Sequence, residues 1–204
     1  MKIKIISLFA FFILSINSSL LADSPLTSTW FSEAYKNEKI MVTASEAKCI
    51  LTNELMNYLN AKKNPIAVKM AIINQLSWDI NGKDNATIFF NYLVLKHGYK
   101  SKEDFLKKGK DYQLLCMAYI KALDNYFDVN EAIEFAEQAL VKNPKSYTFN
   151  IICALIKAQL AFDSDWCKVY SLTNDVRTNI SLSNDMNEEA IKIIFEYMDL
   201  YKCE

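Results

Sequence analysis

DYQLLCMAYIKALDNYFDVNEAIEFAEQALVKNP, Asp111 to Pro144, contains no glycine, and its one proline is its last residue. It reads as two helices, about Asp111–Phe127 and Asn130–Lys142, joined by a link of two residues. A link that short turns the second helix back along the first, so the stretch specifies an antiparallel hairpin.

Working outward, the same punctuation recurs. TASE (Thr43–Glu46) has the form of a capping box, in which hydroxyl and carboxylate satisfy orphan backbone N–H groups. It predicts a helix to about Ala61, with Ile50, Leu51, Leu55, Tyr58 and Leu59 at helical spacing. In NPIAVKMAIINQLSW, Asn64 is read as the N-cap and Pro65 as the first helical residue. Further helices are predicted from about Asn85 to Gly98, from SKED (Ser101–Asp104) to Gly109, and over Ser146–Phe162, Ser164–Arg177 and Asp185–Cys203. Gly82, Gly98 and Gly109 each follow a helical segment, where a left-handed residue ends a helix, and none is left for a phosphate-cradling loop. The piece around Lys39–Val42 is compatible with extended backbone but has no partner strand. Three glycines and three prolines are too few for turn-rich β architectures. The expected fold is all-α: eight or nine helices in stacked antiparallel hairpins.

Tyr112, Leu115, Cys116 and Tyr119 on the first helix of the hairpin, and Ala132, Ala139 and Pro144 on and after the second, resemble the pattern of a tetratricopeptide repeat. Two departures stand out. Tyr119 and Ala132 lie four residues further apart than in the family, and Ala136 stands where the family prefers an aromatic. In the next hairpin Cys153 and Ala154 take the leucine and small positions, but Asn150 and Lys157 replace aromatics. KKNP at Lys62 and VKNP at Val141 give a faint internal repeat offset by 79 residues. The resemblance implies an α-solenoid-like stack and, by analogy, a surface for a protein or peptide partner.

The chain opens MKIKIISLFAFFILSINSSLLADSP. Lys2 and Lys4 precede an apolar run that Ala22 closes, the pattern of a secretory signal peptide over residues 1–22. The expected product is exported, periplasmic or secreted, with no membrane span in the mature chain. Residues 23–43 are read as a leader with a short helix around Trp30, Phe31 and Tyr35 that folds back on the core. Residues 44–204 are read as one all-α domain. Removing Lys2 and Lys4 leaves 21 basic against 24 acidic residues, a charge of −3. Arg177 is the single arginine, so the arginine forks and basic surfaces that hold nucleic acid are missing. The KKGK run at Lys107–Lys110 is read as a solvated helix end.

SWDINGKDNA, Ser77 to Ala86, has the residue mix of a functional loop. An EF-hand needs glycine at its sixth place and glutamate at its twelfth; counting from Asp79, these are Asp84 and Phe90. The calcium reading fails, and helix-terminal roles account for the loop: Asn81-Gly82 as the turn, Asp84 or Asn85 as the next cap. Trp78 is left over, and with Asp79, Asn81, Lys83 and Asn85 it forms the candidate partner-binding set. His97, the one histidine, is read as a helix C-terminal cation, and a two-histidine zinc site is excluded within one chain. No cofactor or metal is expected. Glu134 and Glu196 are the acids most nearly embedded in apolar sequence.

Five cysteines cannot all pair. Cys116 and Cys153 sit in apolar runs and Cys49 within a predicted helix. Cys167 and Cys203 lie among polar and aromatic residues near the ends of the last two helices. Antiparallel packing of those helices brings the two together, so a Cys167–Cys203 disulfide is expected, against a stagger of ~10 Å along ideal helices. Three functions fit: a non-catalytic domain that binds a protein or peptide, a carboxylate-based glycan-cleaving enzyme of the cell envelope, and a small structural or stress-related envelope protein.

Overall fold

The computed structural model describes residues 23–203. Among them are ten α-helices, two 3-10 helices (Phe31–Tyr35 and Asp199–Tyr201) and no β-strand. The helices are α1 Lys39–Glu46, α2 Asn53–Asn60, α3 Ile66–Leu76, α4 Asn85–His97, α5 Lys102–Lys108, α6 Asp111–Asp124, α7 Asn130–Lys142, α8 Tyr147–Ala161, α9 Trp166–Thr178 and α10 Glu188–Met198. The expected signal peptide, residues 1–22, lies outside the described residues. No helix of the described residues is long and apolar enough to cross a membrane.

Helix α6 is the hub, packed against α2, α3, α4, α7 and α8. Every residue from Gln113 to Ile120 is buried, as befits a helix apolar on all sides. From there α7, α8 and α9 pack each on its predecessor, the consecutive hairpins that the short links require. The close approach rests on small residues: Ala118, Ala132, Ala136 and Ala139 are all buried between the helices.

Three local expectations are corrected. Thr43–Glu46 is the last turn of α1 rather than a capping box, and the predicted helix to Ala61 breaks at Lys48 and Cys49, which adopt φ of 49° and 68°. Helix α2 restarts behind Thr52, whose side chain accepts from the Leu55 N–H. Lys39–Val42 is therefore helical, and α1 crosses the expected domain boundary at residue 43. Asn64 does not cap α3; its amide donates to the Tyr58 carbonyl, and Pro65 itself precedes the first turn. Gly98 takes the left-handed conformation expected after α4 (φ 70°), whereas Gly109 does not. At Gly109 the requirement is space: a Cβ would sit 2.6 Å from the Phe105 carbonyl oxygen.

The leader folds back as expected. Leu26 and Phe31 enter the common core, and Phe31 stacks on Tyr119 of α6 at 6.2 Å. Helix α10 packs on Phe31–Tyr35 more than on α9, and the Tyr35 hydroxyl accepts from the Asn187 N–H.

Cys167 and Cys203 form the disulfide, with Cα atoms 5.4 Å apart. The anticipated stagger is absorbed because α10 ends at Met198; a 3-10 turn and an extended Lys202 then carry the chain back to the start of α9. Cys116 and Cys153 are buried free thiols and Cys49 is exposed. Non-reducing peptide mapping should recover Cys167 joined to Cys203. Replacing Cys203 with serine should lower stability by on the order of 3 kcal/mol in urea unfolding. A free thiol at Cys203 in oxidised protein refutes the bond.

Candidate functional site

The loop after α3 owes its shape to Lys83. Ser77 leaves the helix with φ 58°, stranding the last carbonyls of α3. The Lys83 ammonium donates to the carbonyl oxygens of Leu76, at 3.0 Å, and of Ser77. It thus places a cation at the negative end of the helix. Burial holds its pKa below the usual lysine range, opposed by the Asp124 charge. Asp79 accepts from the Asn81 N–H at 2.8 Å, and Gly82, at φ 76°, completes the turn.

The loop is fastened to the end of α6 by the Lys83 N–H, which donates to the Asp124 carbonyl at 3.1 Å. The expected caps of α4 are not used. Asp84 makes no capping bond, and the Ala86 N–H instead donates 2.7 Å to the Asp124 carboxylate. Asn85 faces inward: its oxygen accepts from the Leu51 N–H and its nitrogen donates to the Cys49 carbonyl, each at 2.9 Å. Those two bonds hold the left-handed Lys48–Cys49 turn.

Of the five candidate residues, then, Asp79, Asn81 and Lys83 line a common cleft of about 560 Å³ between this loop and Asp124–Phe127. Trp78 stands behind it, half-buried and edge-on to Tyr126 at 5.2 Å. Asn85 is withdrawn into the interior. What the sequence did not reveal is the other wall, from the α6–α7 turn, and its continuation. Tyr126 and Phe127 also line a second cleft of about 270 Å³ with Gln159, Leu160 and Asp163. Leu160 in turn lines a third, of about 610 Å³, with Lys157, Asp165 and Lys168. The three clefts thus adjoin through shared residues, a trough that passes from the loop before α4, by the α6–α7 turn, to the faces of α7, α8 and α9. Phe127 is 72% exposed there, Ile80 62% and Leu160 51%.

Two buried oxygens in the trough have no partner. Asp124 is 6% exposed and its Oδ1 is unpaired; Gln159 is 8% exposed and its Oε1 is unpaired. Burial pushes the Asp124 carboxyl up to about 6, against the pull of the Ala86 N–H and the Lys83 charge.

Most other clusters pair internally; the Lys69 ammonium, which has no hydrogen-bond partner, is an exception. A cavity of about 140 Å³ near Phe90 and Met117 contains Lys102 and Glu131, 3.0 Å apart; Glu134 also pairs with Lys102, at 2.7 Å, and Lys121 with Glu131. Glu196 is exposed beside Lys192, so neither acid picked from the sequence has the embedded setting that Asp124 has. His97 ends α4 as expected, but burial and the Lys110 charge lower its pKa and disfavour the cation read from the sequence; its Nε2 lies 2.9 Å from both Asn60 Oδ1 and the Gln113 amide. Lys69 is fully buried with its ammonium 3.9 Å above the Tyr112 ring, and burial lowers its pKa. No group of three or more His, Cys, Asp or Glu among the described residues is arranged to hold a metal ion.

No protein-family model matches the chain, and neither a curated protein nor a solved structure is significantly similar to it.

Two measurements test the local assignments. Asn85→Ala should cost about 2–3 kcal/mol in urea unfolding, since two buried backbone groups lose their partners, whereas Asp84→Ala should be nearly neutral. The Asp124 pKa is raised in the folded state, so its contribution to stability is complete below about pH 4 and is lost as pH rises through about 6. Wild type should therefore lose on the order of 2–3 kcal/mol relative to Asp124→Asn between those limits. Parallel stability–pH curves for the two proteins would contradict this placement of the carboxyl.

Proposed function

We propose that this is an exported, non-catalytic domain of helical hairpins that binds an extended segment of a protein or peptide partner in the trough. The observation that carries it is the run of three adjoining clefts, with Phe127 standing exposed where the first two meet. An aromatic residue rising from a groove is the usual anchor of a peptide contact. The tetratricopeptide-like hairpin α6–α7 supports the reading, because it supplies the turn that carries Phe127. Export is supported by the signal-peptide pattern and by the Cys167–Cys203 disulfide, which suits an oxidising compartment.

A second reading is favoured by one observation. Asp124, raised to about 6 beside Asp79 and Asp84, has the electrostatics of a general acid, the setting a glycan-cleaving enzyme needs. Cell-wall glycan turnover abolished by Asp124→Asn would establish that reading instead.

The test is site-specific photocrosslinking in the cell envelope from position 127, with position 95, an exposed leucine that does not line the trough, as control. A discrete adduct from position 127 alone is expected, competed by a peptide cut from the captured partner. Equal labelling from both positions would overturn the proposal.

A further inference from the structure

We propose that the segment bound in the trough is cationic, an extended peptide whose trough-facing side alternates lysine or arginine with large apolar residues. The inference rests on the peptide-binding reading above and names its ligand class.

Charge is the first observation. The loop-end cleft presents Asp79, Asp84 and Asp124. The middle cleft adds Asp23 and Asp163, and the far cleft Glu137 and Asp165. Against these seven carboxylates stand three lysines, Lys83, Lys157 and Lys168. Two of the three are already engaged: Lys83 caps α3, and Lys157 is paired with Glu137 at 2.7 Å. The side chains of the trough sum to −4 and those of the rest of the chain from residue 23 onward to +1, and the α-ammonium of an exported chain beginning at Asp23 offsets one unit at the middle cleft. Acidic residues are concentrated where the clefts are.

Hydrogen bonding supplies the second, independent observation. The unpartnered buried groups of the trough, Asp124 Oδ1 and Gln159 Oε1, are both acceptors. A buried acceptor without a donor costs free energy that an incoming N–H recovers. Lysine, arginine and backbone amides are donors; a carboxylate or a carbonyl is not. The backbone amides of any bound peptide are such donors; among side chains, lysine and arginine add further donors, whereas an acidic one adds none and brings like-charge repulsion.

Apolar surface sets the alternation. Ile80, Phe127 and Leu160 follow one another along the trough, each flanked by carboxylates. Residues two apart in an extended chain share a face, so an apolar residue in contact with Phe127 puts the side chains two positions to either side of it within reach of the flanking acids. Electrostatic attraction of this kind speeds encounter and selects sign.

The experiment uses the chain purified in its exported form with the disulfide intact, and three fluorescein-labelled nine-residue peptides. They share Leu or Phe at positions 1, 5 and 9 and serine at the even positions, and carry Lys, Ser or Glu at positions 3 and 7. Anisotropy at low salt should give the Lys peptide at least tenfold tighter binding than the Ser peptide, no binding of the Glu peptide, and weakening as salt rises. Phe127→Ser should weaken the Lys peptide about tenfold. Asp84→Asn with Asp163→Asn, two exposed acids that make no structural bond, should weaken it at least fivefold and leave the Ser peptide unchanged. Glu103→Gln with Glu196→Gln, outside the trough, should change nothing. If the Ser or Glu peptide binds as well as the Lys peptide and Phe127→Ser abolishes it, the cationic assignment is wrong and peptide binding stands. If no peptide binds, both fail. A dimer seen by light scattering and dissociated by Phe127→Ser would assign the trough to a second copy of the chain and overturn the proposal. Equal loss in the trough and control acid pairs would reduce the attraction to bulk charge and overturn it as well.

Discussion

Asn74 holds three parts of the chain with one amide. Its oxygen accepts from the Ser32 N–H, and its nitrogen donates to the Thr29 carbonyl and the Tyr119 hydroxyl, each at 2.9 Å. The leader, α3 and the hub helix α6 are thereby locked in register around a side chain that is almost wholly buried. Apolar contact alone is non-directional and would let Phe31 slide against Tyr119. A buried amide tolerates one arrangement, because each displaced bond orphans a polar group. Asn85 repeats the device between the α1–α2 turn and α4. Gln113, also fully buried, accepts from the Lys110 N–H and the Tyr99 hydroxyl and donates to Asn60. Three buried amides thus fasten the hairpins to one another where the sequence shows only polar residues among apolar ones.

The all-α architecture was legible because it depends on local signals: scarce glycine and proline, apolar spacing, and short links. Helices α6 and α7 and the hairpin between them follow from residues that touch their own neighbours in sequence. Cap assignments failed where the structure caps from a distance. Helix α4 receives the carboxylate of Asp124, and α8 receives that of Asp185, which accepts from the Thr148 N–H at 2.8 Å. Asp185 was read as the start of the last helix, yet α10 begins at Glu188 and Asp185 remains outside it. An aspartate just before a predicted helix has the same sequence appearance whether it caps that helix or one 37 residues earlier. Only the tertiary fold distinguishes them.

The same limit governs the site. Asp79, Asn81 and Lys83 were singled out because turn residues cluster there, and they do line a cleft. The opposite wall, Asp124 to Phe127, lies at the far end of three helices, α4 to α6, and carries no motif. Asp124 ends an apolar helix and looks like an ordinary C-terminal residue, although a carboxylate is unfavourable at the negative end of its own helix. That mismatch was the available clue: it signals a partner elsewhere, here the N-terminus of α4. Phe127 gave no such hint, because the sequence places it in the last turn of the helix begun at Asp111, whereas α6 ends at Asp124 and leaves it in the turn.

Stiffness along this edge follows from how each turn is held. At one end, the loop before α4 is bound to the Asp124 backbone, with Lys83 closing α3 beneath it. At the other, Cys203 is bonded to Cys167, in the same turn of α9 as Asp165 and Lys168. Tyr201 fills the space between, edge-on to Phe162 at 5.6 Å and to Trp166 at 6.0 Å. The C-terminus thus contributes little to the hub around α6 and much to the edge that carries the trough. A flexible edge would lose conformational entropy on binding, and cross-linking it beforehand removes that cost. The disulfide fastens the edge along which the trough runs, whereas the hub is held by the buried amides of Asn74, Asn85 and Gln113 without a covalent tie.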